Sequence, residues 1–163
     1  MLSPADPRAL RSALGVFATG VTIVTMRAAN GELIGNTANS FNSVSLDPPL
    51  VLWSLARNAY SFKAYVAADH FAVNVLREGQ EDLSARFANS LGDKWQGIDY
   101  ETWETGCPII PNALAIFECK AAHTYEGGDH VIFVGEILRF DHDPHGKPLI
   151  FWRGGYRAID EQR

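Results

Sequence analysis

The chain has 163 residues, of which 47% are apolar and 20% charged, with a formal net charge of −5. That balance supports one globular domain over residues 1–163 with a core of its own and excludes a disordered chain. An acidic chain with scattered Lys and Arg argues against nucleic acid as a partner, and no apolar run reaches the ~18 residues that read as a membrane span. The N-terminal stretch MLSPADPRALRSAL lacks the apolar core of a secretory signal. Cys107 and Cys119 are too few for a disulfide framework, so a cytoplasmic protein with reduced thiols is expected.

In chain order, Asp6-Pro7 opens a helix: Asp caps free N–H groups, and Pro suits the first helical position. Leu10, Ala13, Leu14 and Phe17 recur at helical spacing and carry the helix to near Gly20. The β-branched run from Val21 reads as a strand, Asn30-Gly31 as a hairpin turn, and Leu33–Ala38 as the return strand. After Pro48-Pro49 comes the strand LVLWSL, ending at Leu55. Asn58 is then the expected cap of a second helix through Phe62, Tyr65 and Val66.

HFAVNVL alternates as a strand, and Gln80–Ala88 reads as a helix with Leu83 and Phe87 inward. Residues 89–112 are broken by glycine and proline and anchored by Trp95, Tyr100 and Trp103. They read as packing over the domain, with a lid or an oligomer contact as alternatives. Ala113–Tyr125 and His130–Asp141 form the clearest hairpin, around Glu126-Gly127-Gly128-Asp129, and PLIFW is a last strand. About seven strands, mostly in hairpins, and three helices give a mainly β fold: an antiparallel β-barrel with flanking helices.

Common catalytic signatures are absent: no GxGxxG after a strand, no P-loop, no CxxC, no HExxH. The segment GNTANSFNSVSLDPP, residues 35 to 49, stands out for its small, hydroxyl and amide residues. It fits two readings, a bulged strand whose hydroxyls bond their own backbone, or a wall for a flat, polar-edged ligand. Arg57, Asn58 and Ser61 cluster where strand gives way to helix, a corner that suits either capping or a phosphate. His130, after Gly-Gly-Asp at a strand start, either faces a pocket mouth or sets the turn. DHDPHG, from Asp141 to Gly146, reads as a solvated turn, not a metal site.

Taken together, GNTANSFNSVSLDPPLV, SLARNAYSF, FAVNVL, LSARFA, FECK, GGDHVIFVGEI and PLIFWRGGYR resemble the short-chain flavin reductases, the reductase components of two-component flavin-dependent monooxygenases. The resemblance runs from about residue 8 to residue 159, with one departure at Asn36, where this family often has an apolar residue such as methionine. It implies an FMN-binding split barrel, a homodimer, FMN or FAD as flavin, NADH or NADPH as co-substrate, and a separate monooxygenase that receives reduced flavin. By the same resemblance Thr37, Ala38, Asn39 and Ser40 line the isoalloxazine. Ser54, Arg57, Asn58 and Ser61 hold the ribityl and phosphate end, and Phe87 lies nearby. His130 is the expected catalytic residue, facing the nicotinamide together with Tyr156. The alternative is a flavin-binding electron carrier on the same fold, without nicotinamide turnover.

Overall fold

The computed structural model describes residues 3, 5–90 and 92–160. The chain opens with α1 (Pro7–Leu14), β1 (Thr19–Gly20), β2 (Thr22–Arg27), β3 (Leu33–Ala38), β4 (Asn42–Leu46) and β5 (Pro49–Ala56). It continues through α2 (Phe62–Val66), β6 (His70–Val75), α3 (Glu81–Ala88), β7 (Glu101–Thr102) and β8 (Pro108–Ile109). It closes with β9 (Ala115–Gly127), β10 (His130–His142), β11 (Ile150–Trp152) and β12 (Gly155–Arg157).

Asp6 caps α1 as expected, accepting from the N–H groups of Arg8 and Ala9 at 3.0 and 3.2 Å. The helix stops at Leu14, short of the expected Gly20, because Gly15 donates back to Arg11 and the chain then pairs Thr19–Gly20 with β11. The main sheet has seven antiparallel strands in the order β3-β2-β6-β9-β10-β5-β4. Its membership differs from the sequence expectation. The polar segment NSVSL supplies the edge strand β4, whereas the IFW strand leaves to form a separate sheet with β1 and β12. Of the two readings of residues 35 to 49, the bulged strand matches β4, whose pairing with β5 shifts register between Ser43 and Ser45.

Trp53 centres the larger core, packed against Tyr65, Phe71 and Phe133 with ring centroids 4.8, 6.0 and 5.0 Å away. A second cluster, including Ile23, Leu76, Phe87 and Leu149, lies under α3. Between β2 and the 108–112 segment sits the buried Asn74 of β6. Its amide donates to Ile23 O and Thr25 Oγ1 and accepts from Ile110 N–H, so every polar atom is paired. Glu118, also fully buried, holds the Thr105 N–H and hydroxyl. Together with Ile109 and Ile110 in the core, these bonds press residues 105–110 onto the sheet.

The sheet bends until its two ends meet. Ser40, just past β3, accepts from Ser54 N–H of β5 at 2.9 Å and donates to Ser54 O at 3.2 Å. β3 and β5 lie near opposite ends of the strand order, so this pair joins them across the split. Phe17 at 78% and Leu46 at 93% relative exposure leave apolar surface on the outside. No helix among the described residues is long and apolar enough to cross a membrane.

Candidate functional site

A cleft of about 620 Å³ opens between β3, the β5–α2 corner and the segment after α3. Gly35, Asn36, Asn58, Ser61, Lys94 and Trp95 are among its walls. Its size lies within the range of small-molecule sites. The two-residue period of β3 sets which side chain goes where. Gly35 and Thr37 face α3. A Cβ on Gly35 would lie 2.5 Å from Phe87 Cε1, so only glycine lets the helix side chain lie flat under the strand. Asn36 faces the other way, on the side where Ile34 and Ala38 pack onto the core. Its Oδ1 accepts from Ser61 Oγ at 2.6 Å, and Ser61 is only 7% exposed.

Lys94 reaches across the cleft floor and donates to Gly35 O at 3.1 Å and Phe87 O at 3.2 Å. Partial burial pushes its pKa below the ordinary lysine value. Two carbonyls take two of its three N–H groups, and its charge has no ion-pair partner among the described residues. Lys94 shares the cleft with the carboxylates of Glu32 and Asp93.

The structure divides the sequence-derived candidates into four groups. Asn58 and Ser61 line the cleft. Ser61, not Asn58, occupies the N-cap of α2, and it caps with no side-chain bond because its hydroxyl is committed to Asn36. Thr37, Phe87 and Tyr156 converge on α3 behind β3. Thr37 Oγ1 donates to Ser84 O at 2.6 Å, Tyr156 OH meets Ser84 Oγ at 2.7 Å, and Phe87 is fully buried. Ala38 O accepts from Thr22 Oγ1, Asn39 is exposed past the strand end, and Ser40 and Ser54 are tied to each other.

Arg57 and His130 form the fourth group, at the hairpin tip. Arg57 donates its N–H to Asp129 O and its Nε to Gly128 O, and its guanidinium pairs with Glu126. The hairpin therefore holds the arginine that the sequence offers to a phosphate. His130 begins β10 opposite Ala56, and its Nδ1 lies 2.8 Å from Asp129 Oδ1. The hydrogen bond from His130 holds the Asp129 carboxyl below its usual range. The His130 side chain is 44% exposed.

Sequence reasoning passes over Lys94, since one lysine in a Gly/Asp-rich loop has no pattern to distinguish it from a solvated charge. The cysteines are both buried and free, and burial pushes the Cys119 thiol up to about 12. In DHDPHG, Asp143 pairs with Arg77 and accepts from His145 N–H, the bonding of a turn.

Known proteins resemble this chain along nearly its whole length. FMN reductase (NADH) SmoA of Agrobacterium fabrum is 48% identical over 96% of this chain and 88% of its own length. The "Probable flavin reductase" of Rhizobium meliloti is 47% identical over 93% of this chain, but the chain spans only 48% of that relative. The structure of Streptomyces globisporus NADH:FAD oxidoreductase SgcE6 in complex with NAD and FAD fragments superposes with a TM-score of 0.94. It has 40% identity and covers 99% of this chain and 97% of that one. Residues 14–160 match the flavin reductase like domain, and the chain belongs to that family.

Proposed function

We propose that this protein is an NAD(P)H:flavin oxidoreductase that reduces FMN or FAD and supplies the reduced flavin to a separate monooxygenase. The observation that carries this reading is the cleft, in which a lysine, two side-chain amides and a hydroxyl meet beside an edge strand. This donor set fits a flavin. A ring with an acceptor edge suits the amides and the open backbone edge of β3, and a phosphate suits Lys94. Bound flavin supplies the hydride acceptor, and reduced nicotinamide the hydride.

The residues of the chain have the task of placing two flat rings together and keeping other poses out. The Thr37–Ser40 backbone borders the ring, with Thr37 and Ser40 spending their hydroxyls on holding β3 to α3 and β5. Phe87 and Tyr156 support that wall from behind. Asn58 and Lys94 take the ribityl and phosphate end. Ser54 and Arg57 fix the strand end and the hairpin tip on which His130 stands. His130 then faces the nicotinamide through Nε2, while Asp129 holds Nδ1.

The same reading includes a homodimer, supported by Phe17 and Leu46 lying bare on the surface. It includes an oxygenase partner because relatives at 40% identity are named as reductase subunits of a flavin-dependent monooxygenase in Mycobacterium tuberculosis. Steady-state oxidation of NADH and of NADPH, with FMN, FAD and riboflavin in turn, tests the activity. Flavin-dependent oxidation is the expected result. Flavin binding with no turnover under either nicotinamide would leave only the electron-carrier alternative.

A further inference from the structure

Asn36 occupies an unusual position for an amide. It lies on the core-facing side of β3 between Ile34 and Ala38, both packed against the larger hydrophobic cluster. Strand alternation puts an apolar side chain at such a place. A half-buried amide there needs partners for both ends. Ser61 satisfies the oxygen: its hydroxyl donates to Asn36 Oδ1 at 2.6 Å, and Ser61 itself is almost fully buried. In the structure the amide stands with Oδ1 toward the Ser61 hydroxyl. With Oδ1 turned to Ser61, the Nδ2 group donates to no acceptor among the described residues, and Asn36 lines the cleft.

We propose that Asn36 is a specificity-determining residue that donates an Nδ2 hydrogen bond to an acceptor atom of the isoalloxazine ring, and that Ser61 is the positioning residue that holds its amide at the cleft wall. The inference rests on the flavin reading of the cleft and deepens it. A ring carbonyl or imine nitrogen satisfies the free donor, whereas a ligand with a purely apolar edge at this place leaves the donor buried and unpaired. Ser61 makes the donor rigid, so little side-chain entropy is lost on binding.

The test is a titration of lumiflavin, riboflavin and FMN, followed by quenching of flavin fluorescence. It compares the wild-type chain with Asn36→Leu, Ser61→Ala and Ser61→Thr. Loss of one hydrogen bond to the ring predicts that Asn36→Leu weakens all three ligands by the same factor, about five- to tenfold. Ser61→Ala weakens them by a smaller factor, about two- to fivefold, because the amide survives but turns freely. Ser61→Thr keeps the hydroxyl and restores the affinity. A loss for riboflavin and FMN but not for lumiflavin overturns the proposal, since the contact then belongs to the ribityl chain. Unchanged lumiflavin affinity in folded Asn36→Leu and Ser61→Ala overturns it as well. If Asn36→Leu fails to fold, the Ser61 pair of variants carries the test. Wild-type protein that binds none of the three ligands overturns the flavin reading itself; wild-type binding with unaffected variants overturns this inference alone.

Discussion

Ser40 and Ser54 bond reciprocally across the split in the sheet: the Ser40 hydroxyl accepts from the Ser54 N–H at 2.9 Å and donates to its carbonyl at 3.2 Å. One hydroxyl thus satisfies both backbone groups of a residue that no strand pairs on that side. Replacing Ser40 by alanine removes both bonds and leaves a half-buried N–H and C=O to find water. Ser40→Ala is expected to cost about 1–3 kcal/mol of stability, read as a lower urea midpoint with an unchanged slope.

Gly35 sets the depth of the cleft wall. An added methyl would meet Phe87 at 2.5 Å and Trp95 at 3.3 Å, and those rings already pack edge to face at 4.9 Å. Phe87, the nearer ring, is fully buried, so Gly35→Ala is expected to destabilise by about 1–3 kcal/mol through overpacking. Thermal unfolding checks this, and flavin affinity should fall with it as β3 is pushed toward the cleft.

Lys94 makes the stability of the protein depend on pH in the alkaline range. Its folded pKa lies below the ordinary lysine value because burial disfavours the charge. The cost of holding that charge is fully present below the folded pKa and vanishes as pH rises past the unfolded value. The stability of wild type relative to Lys94→Met therefore rises with pH through that window. Urea midpoints of the two proteins across the alkaline range read it. FMN binding should raise the Lys94 pKa, because a phosphate compensates the charge; proton uptake on binding, absent with riboflavin, is the expected calorimetric sign.

Much of the frame is legible in the sequence because alternation and turn residues report it directly. β2, β3, β6 and the β9–β10 hairpin fall where their periods and glycines put them, and β9 runs two residues past Tyr125 because Gly128-Asp129, with Gly128 at φ 73°, makes the tight turn. The site is less legible. Arg57 sits in a strand-to-helix corner that suits a phosphate, but its guanidinium is held by Glu126 and Gly128, contacts made across the sheet. Thr37 and Phe87 are close to the cleft in sequence yet turned behind it by the strand period. Lys94 enters only through the path of the loop after α3, which no local pattern encodes.

His130 separates the hydride step from flavin binding. Its imidazole is anchored at Nδ1 and stands outside the cleft, so it touches the nicotinamide side alone in this account. His130→Ala is expected to lower turnover with NADH by about tenfold or more, within the range of positioned acid–base or orienting groups, while the dissociation constant for FMN changes less than twofold by the same logic of separate sites. Equal loss of both would assign His130 a structural role in the hairpin.

The most direct measurement of the central claim is anaerobic stopped-flow reduction of FMN by NADH in the presence of the protein. The account predicts rapid bleaching of the oxidised-flavin absorbance, saturating with NADH and slowed in His130→Ala. Flavin that stays oxidised at the rate seen without protein, under NADH and under NADPH alike, would contradict it.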